Sequence, residues 1–389
     1  MENFIYNTPT KIFFGSREEE KIGEIISSYN FKKVLFHYGK SSIKKSGLYD
    51  LVISKLKENN IQFVELGGVE PNPKLSLVLK GVEICKKENI DFILAVGGGS
   101  VLDSAKLISQ GALVDFNPWL FSIKKKISMK HIPVGSILTI SAAGSDMSNS
   151  CVITNDETKE KRGFNSEENR PLFAILDPEL TYTVSKYQTA CGITDIMMHT
   201  LERYFSLGDD TPLTDNIALG LLKSVYEAGT IVINDPTNYN ARATLMWANS
   251  LSHNGLTSCG RKFIMSVHQL EHELSGMYDN ISHGAGLAAL WPSWARVSYR
   301  GAKNRFKKFS NYMFGIKNTE DDSDILEGIT ALENFFKEIG MPTSLHELNV
   351  EEDKLEELAY NTMYKKTRTL NDIIEIDYDT ALEILKKAY

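Results

Sequence analysis

The period of hydrophobic and polar positions changes near the middle of the chain. In the first half, short runs rich in β-branched and aromatic residues alternate with amphipathic stretches: KKVLFHYG (32–39), IQFVELGG (61–68), DFILAVGGG (91–99) and PLFAILD (171–177). That rhythm of strand, helix and strand predicts a parallel sheet covered by helices. After about Thr181 the strand-like runs stop and helical periodicity takes over, as in TDNIALGLLKSVYEAGTIVI (214–233) and DDSDILEGITALENFFKEIG (321–340). The reading is an α/β N-terminal domain over residues 1–180 and an all-helical C-terminal domain over 181–389. A chain of 389 residues exceeds what one hydrophobic core usually serves, and a cleft between two domains is the expected place for a ligand.

Two polar turns interrupt the first half. DFILAVGGGSVLDSAK (91–106) is an apolar strand that ends in Gly97, Gly98, Gly99 and Ser100 before a helical pattern. Glycines remove side chains where a backbone must approach a phosphate, and the helix start behind them offers free N–H groups to an anion. The run is not the GxGxxG fingerprint, so a standard Rossmann assignment does not follow. Earlier, HYGKSSIKKSG (37–47) follows the first clear strand. An acid at such a strand end binds the adenosine ribose diol and repels a 2'-phosphate. Gly39, Lys40, Ser41 and Ser42 stand there instead, a set that favours NADP(H) over NAD(H).

The second half concentrates the histidines: five of the chain's eight lie between 199 and 283. Asp195 and His199, four apart in CGITDIMMHTLERYF (191–205), project from one helix face. His268 and His272 repeat that spacing in VHQLEHELSGMYDNISHG (267–284), where Gly276 and the turn-prone Asp279-Asn280 let the chain bring His283 back. Asp195, His199, His268 and His283 form a set of one oxygen and three imidazoles suited to iron(II) or zinc. His272, which would crowd that set, is read as a catalytic group that orients ligands and passes a proton. His253 is read as a core histidine, and His37, His131 and His346 as structural.

Charge and composition narrow the partners. A net charge of −7, with only short lysine clusters such as Lys124–Lys126, provides no field to collect phosphate backbones, so nucleic acid is not expected. The acidic run TEDDSDILE (319–327) reads as a solvated helix entry. Four scattered cysteines without a CxxC pair read as reduced. No basic segment precedes an apolar one at the start and no apolar run reads as long enough to span a bilayer, so a cytoplasmic protein without a membrane partner is expected.

Taken together, NTPTKIFFGS (7–16), GGVEPNP (67–73), AVGGGSVLDSAK, AAGSDMSNSCVITN (142–155), GITDIMMHTLE and HQLEHELSG…SHG resemble, in order and over nearly the whole chain, the iron-containing (group III) alcohol dehydrogenases, in their NADPH-dependent butanol dehydrogenase branch. The resemblance implies a dinucleotide-binding N-terminal domain and a helical metal-binding C-terminal domain, in a dehydroquinate synthase-like fold. It places the pyrophosphate loop on Gly97, Gly98 and Ser100 with Asp103 nearby, and the adenosine-phosphate turn on Gly39, Ser41 and Ser42. It brings Thr139 and Lys161 towards the cofactor's ribose and nicotinamide side, sets Asn72 in the PNP turn, and implies a homodimer. The sequence departs from the family at AGSD, with Ala143 for threonine and Asp146 for glutamate, and at Lys40 and Ser41, where glycines are common.

The implied chemistry is reversible hydride transfer between NADP(H) and a small aliphatic aldehyde or alcohol, with one divalent metal, iron(II) or zinc, as Lewis acid and His272 or a water beside it handling the proton. Two rivals remain. A dehydroquinate-synthase-like lyase needs basic side chains for a polyanionic substrate, whereas Ile196, Met197, Met198, Leu270, Leu274 and Met277 flank the motifs. A non-catalytic metal or nucleotide sensor has no need of Lys161, His272 and a metal together. Trp247, Trp291 and Trp294 are candidate pocket walls, although large aromatics are more often simply core.

Overall fold

A computed structural model describes residues 1–127, 129–208 and 211–389. They form two compact units. One contains residues 7–184 and 237–250; the other contains residues 1–6, 185–236 and 251–389. The chain is therefore not parted at a single point near residue 180. The helix Tyr239–His253 is the exception, because Met246 packs with Leu138, Ala174 and Leu176 of the sheet unit.

Six strands build the sheet unit: β1 (Lys11–Phe14), β2 (Lys33–Tyr38), β3 (Gln62–Leu66), β4 (Phe92–Gly97), β5 (Val134–Leu138) and, after a hairpin of β6 (Ser150–Thr154) and β7 (Lys161–Asn165), β8 (Phe173–Leu176). The order is β1-β8-β5-β4-β2-β3 and every pairing is parallel. Each strand side packs on helices, as an all-parallel sheet requires. Leu35, Ile93 and Ala95 face the helices Leu75–Glu88 and Gly99–Gly111. Their neighbours Val34, Phe36, Phe92, Leu94 and Val96 face Ile22–Ser28 and Leu48–Glu58. The four strand-like runs read from sequence become β2, β3, β4 and β8, while β1, β5 and the antiparallel β6–β7 hairpin had no such signal.

In the helical unit the helix Lys186–Tyr204 is buried on every face from Thr189 onward, the mark of a central helix. The Ser185 hydroxyl accepts from the Gln188 amide at its start. Its last carbonyls are satisfied by two buried guanidiniums: Arg261 donates to Arg203 O at 2.9 Å and Arg305 to Tyr204 O at 3.1 Å. Asp215 accepts from both, at 2.5 and 2.7 Å. This places cations at a helix C-terminus, where the dipole favours them.

Four expectations change here. The C-terminal half carries a short antiparallel ribbon, Leu370–Asn371 with Glu375–Ile376, among its helices. Pro212–Asn234 is, by length and composition, apolar enough to cross a membrane, but half of its most apolar stretch is buried inside the fold, as in the core helix of a globular unit. Within the acidic run, Asp324 is buried, accepting from Thr319 Oγ1 at 3.0 Å, rather than solvated. Trp291 and Trp294 are core residues with no exposure, their rings tilted against Phe205, so they are packing rather than pocket walls. Trp247 is 41% exposed and meets Phe14 edge-on.

Candidate active site

Asp195 and His199 lie one turn apart on Lys186–Tyr204, His268 and His272 one turn apart on Ser266–Met277, and His283 opens the helix His283–Ser298. A close helix approach brings the last of these in. A Cβ on Gly284 would lie 2.2 Å from the Cys191 carbonyl oxygen, so only glycine lets the start of this helix rest one turn from Asp195.

The polar atoms converge on one oxygen. Asp195 Oδ1 lies 3.6 Å from His199 Nδ1, 3.7 Å from His268 Nε2 and 3.7 Å from His283 Nε2. Asp195 Oδ1, His199 Nδ1 and His268 Nε2 are buried and have no hydrogen-bond partner, an arrangement that costs free energy unless something else satisfies it. A tetrahedral shell with ligand distances of about 2.0–2.2 Å spaces its donors by about 3.3–3.6 Å, so the separations of the three imidazoles from Asp195 suit a divalent transition metal. Asp195, His199 and His268 form a donor group within 4.8 Å, and Glu271, His272 and His283 form a second. His272 stands beside the four-residue set, its ring 6.2 Å from that of His268 and 5.4 Å from that of His283.

Three neighbours carried no sequence signal that singled them out. Glu202, fully buried, accepts from His268 Nδ1 and from the Val267 amide. Glu271, also fully buried, pairs with His283 Nδ1. The His253 ring, read as a core histidine, lies 4.0 Å from that of His199. Burial, then the charges of His253 and His268, hold the His199 pKa well below its ordinary value. For His268 burial also lowers the pKa, but Glu202 and Asp195 outweigh it and raise it to about 9.

In the sheet unit the predicted nucleotide contacts gather at one edge. Gly39–Ser42 follow β2, Gly97–Ser100 follow β4 and Thr139 follows β5. These strands are adjacent and parallel, with Tyr38 opposite Val96 and Gly97 opposite Leu138. The carboxyl ends of such strands are where open α/β sheets bind ligands. A Cβ on Gly98 would lie 2.4 Å from Ile140 Cγ2, so the backbone is bare where the helix Gly99–Gly111 begins. Lys40, Ser41 and Ser42 are exposed, and Lys40 pairs with Glu70 at 2.6 Å. Asn72 holds a left-handed backbone, φ 55°, and Lys161 is buried at the start of β7.

Asp103 is tied to its neighbours on the sheet unit. Its carboxylate accepts from Ser145 Oγ at 2.6 Å and from the Val152 amide at 2.9 Å, and burial raises its pKa. Lys106, one turn on and fully buried, donates to Ser145 Oγ and to the carbonyls of Ser148 and Ser150. The divergent AGSD turn is anchored too. Asp146 accepts from Asn249 and Ser250, while Asn249 Oδ1 accepts from the Ala142 and Gly144 amides, both at 2.8 Å. A shorter aspartate in place of glutamate is thus fully bonded.

Residues 9–178 match the family model for iron-containing alcohol dehydrogenase, and residues 189–389 match that for the C-terminal region of the Fe-containing alcohol dehydrogenase family. The chain belongs to the iron-containing alcohol dehydrogenase family. It is 43% identical, over the full length of both chains, to NADH-dependent butanol dehydrogenase A of Clostridium acetobutylicum. It is 32% identical to the NADPH-dependent aldehyde reductase YqhD of Escherichia coli, over 100% of this chain and 99% of that one. The crystal structure of NADH-dependent butanol dehydrogenase A from Thermotoga maritima superposes with a TM-score of 0.96 at 40% identity, covering 100% of this chain and 99% of that one. The protein is a metal-dependent alcohol dehydrogenase with a nucleotide cofactor, in the butanol dehydrogenase branch of its family.

Proposed function

We propose that this alcohol dehydrogenase reduces small aliphatic aldehydes such as butanal with NADPH, using one divalent metal, iron(II) or zinc, held by Asp195, His199, His268 and His283. What supports it above all is the convergence of His199 Nδ1 and His268 Nε2, buried without hydrogen-bond partners, on an Asp195 Oδ1 in the same state. When bound, the metal polarises the substrate oxygen and the nicotinamide supplies hydride. The chain's own residues do the rest. The Gly39 backbone and the Ser41 and Ser42 hydroxyls would hold the 2'-phosphate, and Gly97, Gly98 and Ser100 would offer bare backbone and a helix start to the pyrophosphate. Asn72, Thr139 and Lys161 face the ribose and nicotinamide side. Asp103 acts there by fixing Ser145 and β6, and His272, beside the donor set, passes a proton to the substrate oxygen.

NAD(H) is the second reading. Glu70 offsets part of the charge of Lys40, and relatives at 43, 40 and 39% identity are named NADH-dependent. Loss of NADPH or NADH absorbance with butanal, on protein stripped of metal and reloaded with iron(II) or zinc, tests both. Turnover restored by metal with kcat/KM favouring NADPH supports the proposal. Restored turnover that favours NADH moves the cofactor assignment alone, and no turnover with either metal overturns the site.

In this reading the N-terminal region, expected over residues 1–180 and joined in the fold by residues 237–250, provides the nucleotide domain, and the rest of 181–389 the metal domain. The reading extends to a homodimer, on the family resemblance, and to a cytoplasmic location, on cysteines scattered without a CxxC pair. Sedimentation velocity tests the dimer, and cell fractionation tests the location.

A further inference from the structure

Two of the three imidazoles at the site share an arrangement that the third lacks. His268 and His283 each point Nε2 at Asp195 Oδ1, both at 3.7 Å, and each engages a glutamate through Nδ1. Both glutamates, Glu202 and Glu271, are completely buried. A carboxylate enclosed in this way is costly unless it is paired, so neither is an incidental surface charge. His199 meets the same oxygen through Nδ1 instead and lies against the His253 ring.

The packing around Glu271 is shaped to admit it. Glu271 sits on Ser266–Met277, and the helix His283–Ser298 faces it with glycine at position 286. A Cβ there would lie 2.9 Å from Glu271 Cγ and 3.2 Å from its Oε1. The second helix thus leaves space for a carboxylate one turn along from the histidine it serves. Glu202 is fixed from the other side: its Oε1 accepts from the Val267 amide at 2.7 Å and from the His268 amide at 3.4 Å. That leaves Oε2 for the imidazole.

We infer that Glu202 and Glu271 are paired positioning residues, each gripping the Nδ1 side of one imidazole so that Nε2 is presented to a metal. The inference rests on the proposed metal site and deepens it. A carboxylate on Nδ1–H fixes the tautomer, leaves the Nε2 lone pair forward and makes it a stronger donor. Glu271 does a second thing: it belongs to the donor group with His272 and His283, so its charge also lies beside the residue assigned the proton.

The test compares wild type, Glu271→Gln, Glu271→Leu and Glu202→Gln with His283→Ala as the reference for a lost ligand. Metal affinity is read by competition with a chromophoric chelator. The ligand field is read from the visible spectrum of the cobalt(II)-loaded proteins. Melting temperatures measured in excess chelator report whether each fold is intact. Glutamine keeps an acceptor of the same shape without the charge, so it should fold like wild type, weaken metal binding about 10-fold and shift the cobalt bands. Leucine, which removes the acceptor, should reach about 100-fold. Wild-type affinity and an unshifted cobalt spectrum in well-folded Glu271→Gln and Glu202→Gln would overturn the inference and leave the metal site standing. If wild type itself takes up no metal, or His283→Ala binds as tightly as wild type, the underlying reading of the site fails instead.

Discussion

His37 shows how one side chain can carry a pH dependence unrelated to the chemistry. It is wholly buried in β2, with Nδ1 at 2.8 Å from the Leu66 carbonyl and Nε2 at 2.9 Å from Ser104 Oγ. Burial lowers its pKa from 6.5 to about 4, with the Leu66 contact opposing only in part. Below about pH 6.5 the unfolded chain takes up a proton that the native state refuses. Stability is therefore lost as pH falls from about 6.5 towards 4, by roughly 3 kcal/mol in all. Urea midpoints of His37→Asn should vary less between about pH 7 and about pH 4.5 than those of wild type; parallel profiles would place the acid sensitivity elsewhere. At the donor set, Asp195→Ala should leave the fold intact and abolish metal uptake, which elemental analysis of the dialysed protein checks.

Helices succeed or fail here on how closely they approach. An alanine at Gly284 would push against the Cys191 carbonyl at 2.2 Å, and a backbone atom cannot swing aside as a side chain does. Gly284→Ala should cost about 1–3 kcal/mol and weaken metal binding too, because it displaces the helix that His283 begins. Calorimetry and chelator competition on the same samples would show the two losses together; unchanged metal affinity would mean that the helix start can adjust. The far end of Lys186–Tyr204 depends on Asp215, which holds Arg261 and Arg305 against its last carbonyls. Asp215→Ala leaves two buried guanidiniums short of their counter-charge and should destabilise by about 3–5 kcal/mol, measured by chemical denaturation. A loss below about 1 kcal/mol would show that the carbonyls alone satisfy them.

For the whole molecule, ligand binding is also folding free energy. Each proposed ligand should therefore protect its own unit. In hydrogen exchange, metal should slow residues 186–204 and 266–298, and NADPH should slow residues 36–45 and 95–106. At about 100-fold excess over its dissociation constant, metal should add about 2.7 kcal/mol to the stability of the helical unit. Protection by metal confined to the sheet unit would contradict the assignment of the donors.

The sequence alone carried the family and the change from sheet to helix near Thr181, and it pointed to the two turns and the four residues proposed here for nucleotide and metal, because each is written locally, in spacing or in a run of one residue type. Asp195 and His199 are four apart, as are His268 and His272, and Gly97–Ser100 are contiguous. β5 was not legible, because Gly135 stands in it where a Cβ would strike Phe173 and Phe92. A strand chosen for its neighbours does not follow strand propensities. Likewise Glu202 and Glu271 read as ordinary helix formers until the fold buried them against His268 and His283. The bonds of Asp103 to Ser145 and Val152 were equally out of reach of the sequence. Which polar groups are enclosed, and which atom each one faces, depends on helices that meet far apart in sequence; only tertiary packing decides that.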